Sequence, residues 1–357
     1  MKGLILAGGA GTGLRPLTHT GPKQLIPIAN KPNILYCLED VRDAGITEIG
    51  VILGENMPEK VRELLGDGSS FGVSITYIVQ GAPKGIAHAV GCAREFMGSD
   101  PFVVYLGDNL LKGGIREMAE EFSKGDAEAQ VALCRVPKPQ RFGVAELDED
   151  GNIISLVEKP KEPKSDLALV GIYFFRESVF PIIDELKPSW RNELEITEAI
   201  DNIRKAGNLV RAHVVSGWWK DTGRPEDILE ANQLILQDLE TSIDGDIEEG
   251  ARTSGNVRIE KGSRILSGSV IKGPVVIGKN CEIGPDTYVG PYTSIGDSTK
   301  IVGGEIEDTI VVGDCIIDCG KRIVHSLIGK HSKILSSEDE KPAGHRLIIG
   351  ENSSVMI

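Results

Sequence analysis

Over residues 1–240, short apolar runs alternate with stretches whose apolar positions recur at helical spacing. Residues 3–7 are a compact apolar run, predicted as a short buried strand. Residues 33–44 put Ile34, Leu35, Leu38 and Val41 on one face, with Pro32 near the start and Gly45 after the end, and predict a helix. Further strands are predicted at 49–53, 76–79, 102–106, 131–135, 143–147, 153–158 and 169–174. Helices are predicted at 58–65, 84–96, 177–186, 196–206 and 225–239. This alternation predicts an α/β domain over 1–240, a doubly wound, mostly parallel sheet.

From residue 241 the period changes. Ile259, Ile265, Ile271, Ile277, Ile283, Val289, Ile295 and Ile301 are spaced by six without a gap, and Gly278, Gly284, Gly290 and Gly296 follow four of them. Such a hexapeptide repeat predicts a left-handed parallel β-helix over 241–357, each side taking six residues and pointing one aliphatic inward. The phase breaks over 303–308 and resumes loosely through Ile317, Ile323 and Ile334, and the polar stretch 336–343 is predicted to be loose.

Charge narrows the function. With 53 acidic against 39 basic residues, the net charge of −14 argues against a nucleic-acid or anionic-membrane partner, which needs a basic face. No apolar run reaches the ~18 residues of a membrane span. The first residues are too short for an export signal, so a cytoplasmic protein with reduced thiols is expected. The six cysteines are scattered; Cys315 and Cys319 are the nearest pair, and their spacing does not suit zinc.

The first strand runs into Leu6-Ala7-Gly8-Gly9-Ala10-Gly11-Thr12-Gly13-Leu14-Arg15-Pro16-Leu17-Thr18. Glycines let main-chain N–H groups close on an anion, and ligands of open α/β sheets bind beyond the carboxyl ends of strands. A plain glycine turn satisfies the same spacing. A Walker loop would end in Gly-Lys-Ser/Thr, which is missing. A dinucleotide fold wants an acid after the second strand, whereas Glu39 and Asp40 lie on the helix. Arg15 and then Lys23-Gln24 form a small basic island in an acidic domain, which favours an anion site.

Here the chain resembles the sugar-1-phosphate nucleotidyltransferases, whose signature is Gly-Gly-x-Gly-Thr-Arg-Leu-x-Pro-Leu-Thr followed by a lysine loop. Lys23-Gln24 and Leu106-Gly107-Asp108-Asn109 resemble the glucose-1-phosphate thymidylyltransferase branch. The likeness continues through Phe142-Gly143-Val144, Glu158-Lys159-Pro160, Arg191 to Thr197, and Trp219-Lys220-Asp221-Thr222-Gly223. The hexapeptide tail resembles the long form of that family. One position departs from it: Gly13 stands where the family has arginine, which removes a cation from the place where pyrophosphate charge develops. Loss of one such donor costs about 10²–10³ in rate, so a slowed enzyme is expected.

The resemblance implies transfer of a thymidylyl group from dTTP to glucose-1-phosphate, giving dTDP-glucose and pyrophosphate. UTP is an alternative donor and glucosamine-1-phosphate a second acceptor. It implies that Lys23, Arg15, Asp108, Lys159 and Arg191 act on the phosphates. Asp108 and Asp221 would hold Mg2+. Leu6, Gly8, Gly9, Gly11, Thr12, Gly13, Gln24 and Asn109 would line the nucleotide. Gln80 would read the thymine edge, with Pro83 and Gly85 giving the base close main-chain approach. Gly143, Glu158 and Val170 would line the sugar, and Trp219 would form a wall. β-Helices of this repeat also carry acyltransferase sites, with His325, His331 and His345 the candidate bases for an N-acetyltransferase activity. None lies within the regular repeats, so a packing module of a homo-oligomer is the favoured reading of the tail.

Overall fold

The computed structural model describes residues 1–149 and 151–336. The chain forms two compact units. One comprises Met1–Gly11, Thr20–Leu25 and Asn33–Asp221; the other comprises Thr12–His19, Ile26–Pro32 and the chain from Thr222 onward. Two short segments of the amino-terminal region and the helix Pro225–Gln237 thus group with the hexapeptide repeats, within a stretch that a boundary at 240 would leave with the sheet.

The first unit is built on a nine-stranded sheet. Ser74–Val79, Glu48–Leu53, Lys2–Ala7 and Phe102–Leu106 lie side by side and parallel. Leu167–Phe175 then joins antiparallel, followed by Gly143–Leu147 and Ile153–Glu158, with Ala129–Arg135 and Val210–Val214 branching off. Parallel strands are covered on both faces and so read as continuous apolar runs. Leu4 and Leu6 enter a core with helices Ile86–Cys92, Val179–Glu185 and Ile196–Lys205. Ile5 and Ala7 point the other way, into a core with helices Asn33–Asp43, Pro58–Leu65 and Arg116–Lys124. This is the doubly wound, mostly parallel arrangement that the alternation predicts.

The predicted helix 84–96 is corrected to two, Ile86–Cys92 and Arg94–Met97. Gly85 before the first has φ +104°, which no helix accommodates, and Ala93 at φ −90°, ψ 0° interrupts the second turn of the run. Strands Asn109–Leu111 and Trp219–Asp221, which the pattern did not show, pair antiparallel with Asp221 opposite Asn109.

In the second unit, short parallel strands stack into three sheets with an eighteen-residue register, as in Val257 opposite Val275 and Val275 opposite Thr293. All eight in-phase aliphatics from Ile259 to Ile301 are buried. The apparent phase break has a simple form. Ile306 and Val311 occupy the core after spacings of five, and pairs such as Val289–Ile306 and Ile295–Val311 show coils shortened to 17 and 16 residues. Corners turn through left-handed residues, among them Asn280, Asp286, Tyr292 and Ser298. The expected loose stretch 336–343 lies, apart from Ser336, outside the described residues.

One face of the coil is covered by the helix Pro225–Gln237. Asn232, fully buried, accepts from the Ala29 N–H (2.8 Å) and the Ser294 hydroxyl (2.7 Å) and donates to the Tyr292 carbonyl (2.9 Å). Asn30 donates to the Ile295 carbonyl at 2.7 Å. Asn232→Ala leaves two buried donors and one acceptor unsatisfied. We expect it to destabilise the protein by about 1–3 kcal/mol, read as a lower urea midpoint at unchanged slope.

Candidate active site

The parallel register sets three strand ends side by side: Leu6 pairs with both Ile52 and Leu106. Each strand runs into a glycine. A Cβ on Gly54 would lie 2.3 Å from the Gly8 carbonyl oxygen, and one on Gly107 would lie 2.9 Å from that of Leu6. Main chains therefore meet at this rim at distances side chains forbid. Gly54 escaped the sequence reading because nothing local marks it; the constraint comes from a neighbouring strand.

Lys23 lies on the short 3₁₀ turn Lys23–Leu25, and its stem passes Gly9, where a Cβ would stand 3.3 Å from Lys23 Cε. Its ammonium forms an ion pair with the buried carboxylate of Asp108, directly after strand Phe102–Leu106. Burial pulls the Lys23 pKa down, but the charges of Asp108 and Asp221 outweigh it and the net shift is upward. Lys23 is therefore a charged group facing both carboxylates. Gln24 beside it is buried, and its Oε1 has no partner among the described residues. Asn109 accepts from the Trp219 indole N–H at 2.8 Å, and Trp219 packs edge-on against Phe142 at 4.9 Å between ring centroids. The expected wall is thus a buried aromatic that fixes Asn109.

A second cluster follows from Phe142. The Lys159 N–H donates to its carbonyl at 3.0 Å, in a left-handed backbone (φ +43°). Lys159 Nζ lies 3.8 Å from Glu158. The Arg191 guanidinium is shared among Glu158 at 3.5 Å, Glu195 at 3.3 Å and Glu193 at 3.0 Å. Burial and then the Glu195 charge push the Glu158 carboxyl above its ordinary range, more than Lys159 and Arg191 lower it. Gly143 faces this cluster: a Cβ there would lie 2.6 Å from Thr197 Cγ2 and 3.1 Å from Glu158 Oε2. Glu195 and Thr197 were missed as site residues; their place in the Arg191 to Thr197 motif was the available signal. Val170 is fully buried.

On the other side, Gln80 ends strand Ser74–Val79 with its Oε1 over Gly8, where a Cβ would come within 2.5 Å. Gly85 serves a contact within the protein: its Cβ would lie 2.4 Å from the Leu194 carbonyl oxygen. Pro83 is exposed and Leu6 buried. Thr12, Gly13 and Arg15 belong to the second unit, where Arg15 is exposed and a Cβ on Gly13 would meet the Gly223 carbonyl at 2.8 Å. Gly11 belongs to the first unit.

Elsewhere, a hollow of about 760 Å³ is lined by Arg94, Pro101, Arg176, Phe180 and Asp184, at the amino-terminal end of strand Phe102–Leu106. Its arginines are engaged, Arg94 with Asp184 at 2.6 Å and Arg176 with the Ala127 carbonyl at 2.9 Å, so it offers no open cation. His325 and His331 occupy left-handed corners of the β-helix, and His325 Nδ1 lies 2.7 Å from Asp308 Oδ2. His345 lies outside the described residues.

The family described as nucleotidyl transferase matches residues 2–238, and the bacterial transferase hexapeptide repeat matches 256–291. The chain belongs to the nucleotidyl transferase family. A low-salt glycan biosynthesis nucleotidyltransferase of Haloferax volcanii is 52% identical over 357 residues, all of both chains. A glucose-1-phosphate thymidylyltransferase of Streptomyces antibioticus is 46% identical over all of this chain and 99% of that one. A Bacillus anthracis crystal structure in complex with a sucrose is 42% identical, with a TM-score of 0.64 over 68% of this chain and 98% of the other. This nucleotidyltransferase is thus an enzyme with an α/β domain and a hexapeptide β-helix, similar over its full length to proteins named glucose-1-phosphate thymidylyltransferase. None of the helices among the described residues is long and apolar enough to cross a membrane.

The raised Lys23 pKa has a testable sign. Its contribution to stability is complete below the unfolded value near 10.5 and is lost as pH rises through the higher folded value. Parent protein should thus lose more urea stability than Lys23→Met between pH 9 and pH 11. Parallel curves for the two proteins would contradict the pairing.

Proposed function

We propose that the enzyme transfers a thymidylyl group from dTTP to glucose-1-phosphate, releasing pyrophosphate and dTDP-glucose. The observation that carries this reading is the grouping of Lys23 with Asp108 and Asp221 at the carboxyl end of the parallel strands. Full-length relatives named glucose-1-phosphate thymidylyltransferase, at 46% and 44% identity, support the substrates.

A sugar-phosphate oxygen attacks the α-phosphorus as the bond to pyrophosphate breaks, so no protein nucleophile is required. Catalysis of this kind is alignment and charge neutralisation. Main-chain N–H groups at Gly8, Gly9 and Gly11 approach the phosphates, and Lys23 neutralises them. Lys159 and Arg191 hold the sugar phosphate; a guanidinium fork suits phosphate oxygens. Arg191 is already balanced by three acids, so a phosphate must draw it from them. Glu158, its carboxyl shifted upward, accepts from the sugar hydroxyls. Gln80 presents its acceptor Oε1 to the imide N–H of thymine. The thymine methyl is worth only about 1–3 kcal/mol, so UTP is a slower donor.

The two carboxylates fit Mg2+. Both already face one cation, Lys23, and hard oxygens are its preferred donors. Among the described residues no third acid, histidine or cysteine completes a metal cage, which suits an ion that shares its sphere with phosphate and water. Asp108 and Asp221 would hold it, and when bound it would screen the phosphate charge. The division at residue 240 into catalytic and β-helix parts, and a cytoplasmic homo-oligomer packed through the β-helix, complete the proposal.

Pyrophosphate release from dTTP and glucose-1-phosphate with Mg2+ tests the reading. Asp221→Asn should lower kcat by about 10²–10³. Turnover with another nucleotide and sugar but not this pair would overturn it. Gly13→Arg should raise kcat by about 10²-fold, at some cost in stability because the loop must yield to the Gly223 carbonyl. An unchanged rate would remove the charge-deficit argument.

A further inference from the structure

Gln80 is held by more than its place at a strand end. Its Nε2 lies 3.2 Å from His88 Nδ1 and 3.5 Å from the Gly85 carbonyl oxygen, while its Oε1 lies over Gly8. An amide carries a donor at one end and an acceptor at the other, so which end faces inward decides what it shows a ligand. The Gly85 carbonyl can only accept, so the amide end beside it is the donor. His88 Nδ1, beside that same nitrogen, must then be the bare, accepting nitrogen, and the ring proton sits on Nε2. Nε2 lies 3.9 Å from Cys92 Sγ, one helical turn on in Ile86–Cys92, a weak acceptor for that proton. Burial, and then the Lys84 charge, hold the His88 pKa below its ordinary value, which keeps the ring neutral and Nδ1 able to accept.

We infer that His88 is a positioning residue for base selection: by accepting from Gln80 Nε2 it locks the amide in the orientation that matches the carbonyl–imide edge of thymine or uracil. Cytosine presents an amino donor and a bare ring nitrogen at that edge. With both amide hydrogens taken by His88 and Gly85, Oε1 is the atom left for the base: it accepts from the imide N–H of thymine or uracil and opposes the bare ring nitrogen of cytosine, whereas a flipped amide would suit cytosine. The sequence gives no hint of this, because a histidine two residues into a helix has many uses; only the approach of strand end and helix start joins the pair. The inference rests on the proposal that Gln80 faces the base.

His88→Phe keeps a planar ring and removes the acceptor. With the full chain, glucose-1-phosphate and Mg2+, the ratio of kcat/KM for dTTP to that for dCTP should fall about tenfold, the scale of one lost buried hydrogen bond. The change should sit in a higher KM for dTTP with kcat nearly unchanged. A fall of less than about threefold overturns the inference, since it would correspond to under 1 kcal/mol of discrimination. Gln80→Leu separates the two readings. If it leaves the dTTP KM and the ratio unchanged, Gln80 does not read the base and the underlying proposal fails. If it abolishes the preference while His88→Phe is silent, only the role of His88 falls. Imidazole ¹⁵N shifts of the unsubstituted protein give a readout independent of any variant: a protonated Nε2 is expected for His88, and a protonated Nδ1 overturns the inference.

Discussion

The site depends on one ammonium in a place that does not favour it. Lys23 is largely removed from water, and burial alone would drive it toward the neutral form; Asp108 and Asp221 reverse the sign. The neighbouring geometry serves that balance. Gly9 leaves room for the lysine stem, strand Phe102–Leu106 delivers Asp108, and the pairing of Asp221 with Asn109 brings the second carboxylate to the same rim. Trp219 holds Asn109 from behind. Removing one member of such a buried set costs about 3–5 kcal/mol, because the remaining charge is left uncompensated. A polyanion arriving here meets a cation whose charge is secured before the ligand binds.

The same economy explains why an acidic protein can take an acidic substrate. Exposed charges act over a Debye length of about 8–10 Å at ordinary salt, so the net charge of −14 weakens quickly with distance. In the proposed reaction, what the ligand experiences close in is set by Lys23, Lys159, Arg191 and the main chain at the glycines. The close approaches of Gly8, Gly54 and Gly107 matter for that reason: with side chains there, backbone dipoles would be held away from the ligand and from one another.

Much of this was legible in the sequence where a pattern was local. The six-residue spacing marked the β-helix core, and apolar runs marked the central strands, because buried parallel strands need no alternation. The failures are also physical. Asn109–Leu111 and Trp219–Asp221 are three residues each, too short for periodicity, and exist because they pair with each other. The helix Arg116–Lys124 and the strand Val210–Val214 carry too few apolar positions to stand out; packing defines them. The predicted helix from 84 fails at Gly85, where the contact with Leu194, over a hundred residues away, demands the left-handed side of the backbone map. The β-helix phase break dissolved once spacings of five were seen to fill the same core. The site motifs named Lys23, Asp108, Glu158 and Arg191, but spacing could not reveal how three acids divide one guanidinium.

That Leu194 contact does more than break a helix. The Leu194 N–H donates to the Lys84 carbonyl at 2.7 Å, and its carbonyl accepts from the Ala87 N–H at 3.2 Å. A two-way main-chain link therefore ties the loop after Gln80 to the segment that carries Arg191 and Glu195. One of these segments serves the nucleotide end of the proposed reaction and the other the sugar phosphate. A displacement without a protein nucleophile has little to gain from covalent chemistry and much to gain from fixed geometry, since misplacement by an ångström costs about 10²-fold. Main-chain hydrogen bonds hold that geometry better than long side chains, which lose rotamer freedom when ordered. The left-handed Gly85 is thus a condition of alignment: any side chain there would push the two halves of the site apart.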